Sequence, residues 1–142
     1  MTRLAVLNFG GMCLLAWAAW NGFVQFAYVA DTTPISLSIV ALFVFGLGVA
    51  AYRVYRPTQE GTELLRDIAN WCAGLGMFGT VIGLVMMTLS LQDTDISNAD
   101  QLAKAINQAF EGYGVALITT AVGFVFGVWT EVNYRCIKMM AG

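Results

Sequence analysis

Four long apolar runs dominate this chain of 142 residues. They cover residues 4–30, 35–52, 71–91 and 113–134, and each comes close to or exceeds the roughly 20 residues that a helix needs to cross a bilayer. A lipid environment leaves no partner for unpaired backbone groups, so such runs fold as helices. The sequence therefore predicts an all-α integral membrane protein with four transmembrane helices. The connections are too short to hold a soluble domain.

The composition agrees with this class and excludes several functions. Hydrophobic residues make up 58% of the chain and charged residues 11%, against about 25% charged in an ordinary soluble domain. A net charge of −2 with dispersed basic residues argues against a nucleic-acid surface. Histidine is absent, which removes the commonest general base and metal ligand. The three cysteines are isolated, so we expect no metal site, no cofactor and no enzyme activity.

The basic residues predict the orientation in the membrane. Six of them fall on one side of the predicted spans, and Lys104 alone falls on the other. The six are Arg3, Arg53, Arg56, Arg66, Arg135 and Lys138. The positive-inside rule then places both termini in the cytoplasm. The first run is longer than the apolar core of a signal peptide, so we expect it to remain as an anchor.

Two units are expected along the chain. Residues 1–57 are predicted to form a peripheral transmembrane hairpin that faces the lipid. A tight turn at residues 31–34 is predicted to connect its two helices. Residues 58–142 are predicted to form the central unit, with a helix that starts near Pro57 and continues into the third span. Ser97-Asn-Ala-Asp100 resembles a capping box and predicts a short outer amphipathic helix over about 96–112. Packing on the outer leaflet or on neighbouring protein is its simplest role.

Small residues recur on one face of the third and fourth predicted helices. The third helix contains the stretch GLGMFGTVIGLVMM at residues 74–87, with Gly76, Gly79 and Gly83 at three- and four-residue steps. The matching positions of the fourth helix are Ala116, Thr120, Gly123, Gly127 and Thr130. Small residues allow helix backbones to approach closely in lipid. Tight packing is the simplest explanation of both stripes.

Threonine hydroxyls near the middle of these two spans point beyond packing. Thr80 lies in the third span, and Thr119 and Thr120 lie in the fourth. A buried threonine often bonds a carbonyl one turn back, but together these hydroxyls predict a polar track. Neither span has an acid or base at mid-membrane, and Glu131 lies near the cytoplasmic end, four residues before Arg135, where an ion pair is the better interpretation. If ions cross here, the titrating carboxylate must come from another chain.

The segments FGTVIGL and GVALITTAVGFVFG resemble the MotA/TolQ/ExbB proton channel family, over residues 75–133. The matching cores are Gly79-Thr80-Val-x-Gly83 and Thr120-Ala-Val-Gly123. The resemblance implies a homopentamer in the bacterial inner membrane around a dimer of single-span partners of the MotB/TolR/ExbD kind, whose helix supplies an aspartate. It also implies that the third and fourth helices line the ring and that Thr80 and Thr120 face this aspartate. Thr119 and Thr130 are further candidates for the pathway of the ion, H+ or alternatively Na+.

The chain departs from the resembled proteins at two places. TolQ and ExbB members carry a glutamate five residues before the threonine of the fourth-span motif, where this chain has Val115. The cytoplasmic loop at residues 57–70 is far shorter than the MotA domain that drives a flagellar rotor, so flagellar torque is not favoured. The resemblance therefore implies a stator-like ion channel subunit that uses proton motive force. A non-conducting membrane scaffold and a holin-like pore are the alternatives.

Overall fold

A computed structural model of the protein describes residues 2–22, 24–25, 34–55, 62–92 and 98–141. The long elements in these ranges are α1 (Thr2–Trp20), α2 (Ile35–Tyr55), α3 (Glu63–Gln92) and α4 (Ala99–Ala141). Within the described residues, three helices are long and apolar enough to cross a membrane, over Ile35–Val54, Glu63–Gln92 and Ala99–Met140. The predicted all-helical architecture with several helices able to cross a membrane is therefore confirmed. The four-span topology stays a prediction.

The first helix is shorter than the apolar run that encodes it. α1 ends at Trp20, and the backbone N–H of Asn21 donates to the Trp17 carbonyl at 3.0 Å. Gly22 follows with a φ of 79°, a left-handed conformation that glycine adopts without steric cost. The helix predicted over residues 4–30 is therefore interrupted at residues 21 and 22. Asp31 to Thr33 of the predicted turn lie outside the described residues.

α1 packs on α4 and, among the described residues, makes no close backbone approach to α2. The side chain of Asn8 accepts hydrogen bonds from Trp129 Nε1 at 2.9 Å and from Asn133 Nδ2 at 3.1 Å. It also donates to Asn133 Oδ1 at 2.9 Å. The Trp129 indole lies directly over Gly11, where no side chain would fit. The hairpin predicted over residues 1–57 stays a prediction, since residues 26–33, which would connect the two helices, lie outside the described residues.

α2 lies across one side of α3 and α4. Ile39 and Phe43 of α2 are buried in one cluster with Ile68, Cys72 and Phe126. The rings of Phe43 and Phe126 are stacked, with centroids 4.3 Å apart and an interplanar angle of 11°. A second cluster nearer the far end of α2 joins Ala50, Leu65, Tyr134 and Ile137. These clusters form the core, and the described residues leave the other side of α3 and α4 uncovered.

α3 and α4 form a long antiparallel pair. α3 has 30 residues and α4 has 43, which corresponds to about 45 Å and about 64 Å at ~1.5 Å per residue. Both exceed the ~30 Å apolar core of a bilayer, so the pair extends into water. The predicted lead into the third span is confirmed from Glu63 onward, whereas Pro57 lies outside the described residues.

α4 is one continuous helix. The residues predicted as an outer amphipathic helix are, from Ala99 onward, its first turns. The N-cap is Asn98, whose Oδ1 accepts from the backbone N–H of Asp100 at 3.1 Å and of Gln101 at 3.4 Å. The capping residue thus lies one position after Ser97, which the capping-box pattern suggested. Asparagine is as good a cap as serine, so the pattern alone does not choose between them.

Candidate functional site

The contact between α3 and α4 is a seam of glycines. A Cβ atom at Gly83 would lie 2.5 Å from the Gly112 carbonyl oxygen and 2.8 Å from the Ala116 Cβ. At Gly123 it would lie 2.7 Å from the Cys72 carbonyl oxygen and 2.7 Å from the Gly76 Cα. Side chains are therefore excluded, and the two backbones touch. The predicted stripes at these positions form this seam within one chain.

Two further glycines belong to the seam. A Cβ at Gly79 would lie 2.6 Å from the Thr119 hydroxyl oxygen, and one at Gly127 would lie 3.1 Å from the Ala69 carbonyl oxygen. Gly112 was not among the predicted positions, although it stands four residues before Ala116 and continues the same small-residue spacing. The spacing signal could therefore have found it.

The adjacent threonines of α4 have opposite surroundings. Thr119 is fully buried against Gly79, and its hydroxyl donates to the Val115 carbonyl at 2.8 Å. Thr120 lies on the exposed side of the seam. The predicted stripe placed Thr120 in the helix contact, but Thr119 occupies that place. The two positions differ by about 100° around a helix, so only one of them can face α3 squarely.

Thr80 and Thr120 form a hydroxyl pair across the seam. Their Oγ1 atoms are in direct hydrogen-bond contact. Thr80 Oγ1 also lies 3.0 Å from the Gly76 carbonyl oxygen, and Thr120 Oγ1 lies 2.7 Å from the Ala116 carbonyl oxygen. Two hydroxyls have two protons for these three contacts. The pair can thus rearrange its protons and can accept a hydrogen bond from a third group.

The hydroxyl pair lies away from α2. Trp129, which packs against Phe43 of α2 with ring centroids 5.1 Å apart, is nine residues after Thr120 and hence about 180° round the helix. The exposed neighbours on the Thr120 side are apolar, with Leu117 at 53% and Phe124 at 67% exposure. The pair is therefore a polar spot on an apolar face that α2 does not cover.

Thr130 lies elsewhere. Its hydroxyl donates to the Phe126 carbonyl at 2.8 Å, and the side chain is 2% exposed. A Cβ at Gly46 of α2 would lie 3.7 Å from the Thr130 Cγ2 atom. The structure thus brings together Thr80 and Thr120 of the four predicted pathway residues, and it places Thr119 and Thr130 in helix contacts. The role of all four in ion passage stays a prediction.

Charged and polar side chains meet where the C-terminal part of α4 lies beside the start of α3. Glu131 Oε1 accepts from Arg135 Nε at 2.8 Å, as the four-residue spacing predicted. Tyr134 donates its hydroxyl proton to Glu63 at 3.1 Å, and Lys138 donates to the Tyr134 oxygen at 3.0 Å. The described residues contain no group of three or more acidic, histidine or cysteine side chains that could hold a metal ion.

The part of the chain that contains these elements is similar in sequence to known proteins. Residues 46–141 match the MotA/TolQ/ExbB proton channel family. The putative biopolymer transport protein ExbB-like 1 of Synechocystis sp. is 30% identical over 95 residues, which are 67% of this chain and 36% of the relative. The chain thus spans about a third of the length of that curated relative. No solved structure matches the chain. The matched residues contain the whole glycine seam and both hydroxyls of the pair.

Proposed function

We propose that this chain, which belongs to the MotA/TolQ/ExbB proton channel family, is the ion-conducting subunit of a membrane motor. Families of this kind are channels rather than enzymes. In this proposal the chain uses proton motive force in the bacterial inner membrane, with both termini in the cytoplasm. The work goes to a process across the cell envelope, in line with the biopolymer transport named for the relative.

The observation that carries the proposal is the Thr80–Thr120 hydroxyl pair on a face that the rest of the described chain leaves uncovered. The sequence has no charged residue between Asp67 and Gln92 of α3 or between Glu111 and Glu131 of α4. The hydroxyl pair is therefore the uncharged polar group that these helices expose at mid-membrane, since the neighbouring Thr119 is buried. A cation that passes along this face needs a carboxylate from another chain to balance its charge.

A single-span partner with a membrane aspartate supplies that carboxylate in the proposal. An aspartate surrounded by hydrocarbon stays protonated, because charging it without solvation costs several kcal/mol. Thr80 and Thr120 hydroxyls can hydrogen-bond either form, donating to the carboxylate and accepting from the acid. Beside the pair, the aspartate can then bind and release a proton as the partner moves. The same oxygens suit Na+ as a second ion.

The uncovered face of α3 and α4 gives the proposed assembly its geometry. Several copies arranged in a ring would turn these faces toward a common centre, where the partner helices stand. The family resemblance implies five copies and two partner helices. α1 and α2 then form the outer layer, consistent with the high exposure of Phe9 at 73% and Leu14 at 69% on α1.

Replacement of hydroxyls by methyl groups tests the function. The complex is purified from native membranes through a tag on this chain, reconstituted into liposomes, and assayed for proton uptake driven by a membrane potential. Thr80→Val/Thr120→Val keeps the shape and deletes both oxygens, so we expect flux to fall at least about tenfold, a barrier increase of ~1.4 kcal/mol. Thr119→Val is the matched control, since it removes a neighbouring hydroxyl that bonds only within its own helix.

Two outcomes contradict the proposal. Equal proton uptake by wild type and the double variant would make the pair a packing feature. A wild-type complex that carries no protons under any potential would favour the scaffold alternative. Assembly is followed by size-exclusion chromatography in both cases, because a variant that falls apart reports on packing and not on conduction.

A further inference from the structure

Glu131 lies on the same face of α4 as the hydroxyl pair. It is eleven residues after Thr120, so the two positions differ by only about 20° around the helix and are ~16 Å apart along its axis. Phe124, which is 67% exposed, lies between them on this face. The carboxylate is therefore the next ionisable group that a cation meets on its way from the threonine pair toward the predicted cytoplasmic end.

The two members of the Glu131–Arg135 ion pair lie at different distances from the threonine pair. Its partner Arg135 is one turn farther from the threonines, about 6 Å along the axis. The Arg135 side chain is 71% exposed and the Glu131 side chain 30%. The negative member of the pair is thus the one nearer to Thr120, and the positive member is the more exposed of the two. An exposed pair of this kind adds little to stability, so a packing role accounts poorly for its position.

Glu131 is also separate from the other charges at this end. Glu63 of α3 lies 3.8 Å from Lys138 and 3.9 Å from Arg66, so those three side chains form a cluster of their own. The ion pair with Arg135 is the interaction that the structure gives Glu131 among the described residues. The Glu131 carboxylate is therefore paired with one cation, Arg135, outside that cluster.

We propose that Glu131 is the cytoplasm-side cation site of the ion route. A proton that leaves the threonine pair binds a Glu131 carboxylate oxygen, and the Arg135 guanidinium loses its counter-ion while that O–H bond exists. The proton then passes to cytoplasmic water, and the Glu131–Arg135 ion pair re-forms. No charge is created or lost in this cycle. The inference rests on the proposed function, since it adds an exit site to the same route.

Cysteine reactivity tests the site without the partner's chemistry. In a background with Cys13, Cys72 and Cys136 replaced by alanine, a cysteine is placed at Phe124 on the Thr120 face or at Val125 about 100° round the helix. Both positions are exposed, at 67% and 51%. Cationic and anionic methanethiosulfonates are applied from the cytoplasmic side. We expect Phe124→Cys to react, with preference for the cationic reagent, and Val125→Cys to stay slow in lipid.

Glu131→Gln removes the charge at nearly constant shape. A unit charge ~10 Å from the reacting thiol should shift the ratio of cationic to anionic rates at Phe124→Cys by about fivefold or more. Glu63→Gln is the matched control and should leave the ratio unchanged. In reconstituted complexes, Glu131→Gln should lower proton flux severalfold, whereas Glu131→Asp should retain most of it.

Three results would overturn the site. They are equal reactivity at Phe124→Cys and Val125→Cys, an unchanged reagent ratio in Glu131→Gln, or the same shift in Glu63→Gln. Each leaves the test of the threonine pair standing, because that test measures flux with Glu131 intact. Absence of flux in the wild-type complex would instead contradict the proposed function, and no Glu131 variant is needed to see it.

Discussion

At the scale of single residues, a hydrogen-bonded contact between Asn8, Trp129 and Asn133 joins α1 to α4. Three hydrogen bonds join two amides and an indole inside the apolar region. Asn8→Ala removes all three and leaves the buried Asn133 amide, 1% exposed, without its partner. In a membrane such bonds contribute about 1 kcal/mol each and rarely more than ~2.

We therefore expect Asn8→Ala to lower the free energy of unfolding by about 1–3 kcal/mol, measured as the unfolding midpoint in a denaturing detergent titration. Asn21→Ala is the control, because the Asn21 amide bonds only the Trp17 carbonyl in an exposed turn. A smaller loss for Asn8→Ala than for Asn21→Ala would show that α1 is held by apolar contact instead.

The same scale shows what the sequence could and could not predict. Thr80 and Thr120 were identified from their position in two small-residue motifs, and the structure places their hydroxyls together. The choice of Thr119 as the packing residue depends on a rotation of about 100°, which a periodic stripe with three- and four-residue steps does not fix. The contact of Asn8 with Asn133 spans 125 positions, and no local pattern reports a pairing at that distance.

At the scale of elements, the glycine seam determines how closely α3 and α4 approach. Gly83→Ala would bring a methyl group to 2.5 Å from the Gly112 carbonyl oxygen, so the helices must separate. We expect a loss of about 1–3 kcal/mol in unfolding free energy, measured by thermal unfolding in detergent. Because Gly83 faces α4 of its own chain, larger residues there act on the folded subunit before they act on assembly.

Gly74→Ala is the matched substitution on the same helix. A Cβ at Gly74 would meet nothing within 4 Å, and alanine is the better helix former by up to ~1 kcal/mol. We expect this variant to be as stable as wild type or slightly more stable. Equal destabilisation by the two variants would mean that general helix propensity, and not the seam, determines the result.

The elements differed in how well the sequence predicted them. α3 and the seam followed from residue spacing because small-residue periodicity is a local signal that packing in lipid preserves. The end of α1 is coded by the Asn21-Gly22 dipeptide, a turn signal that the surrounding apolar run obscured. The continuity of α4 through residues 99–112 depends on how far α3 extends beside it. The amphipathic pattern of residues 99–112 does not predict that length.

At the scale of the whole molecule, the distribution of basic residues predicts the orientation. In a chain with its three cysteines replaced by alanine, Asn98→Cys should react with a membrane-impermeant thiol reagent added to intact cells, because the start of α4 is expected on the outer side. Asp67→Cys, at the opposite end of α3, should react only after permeabilisation. Both positions are exposed. The reverse pattern would invert the topology.

The exposed apolar surface of the chain predicts an assembly. Only 22% of the most apolar part of α3 is buried within one chain, so lipid or other chains must cover the remainder. We expect native mass spectrometry of the detergent-solubilised complex to show five copies of the 15.4 kDa chain with two copies of a second, single-span protein. A monomer, or a ring without a second protein, would contradict the partner in the proposed function.

The unbroken α4 has a mechanical consequence. Its 43 residues run from Ala99 to Ala141, and Thr120 stands at the midpoint. A rod of ~64 Å that tilts by about 10° around its centre moves its two tips by ~5 Å in opposite directions. Thr120 thus lies at the pivot of such a tilt. A tilt around this centre leaves the Thr120 hydroxyl nearly in place and displaces the two ends of the helix equally on the two sides of the bilayer.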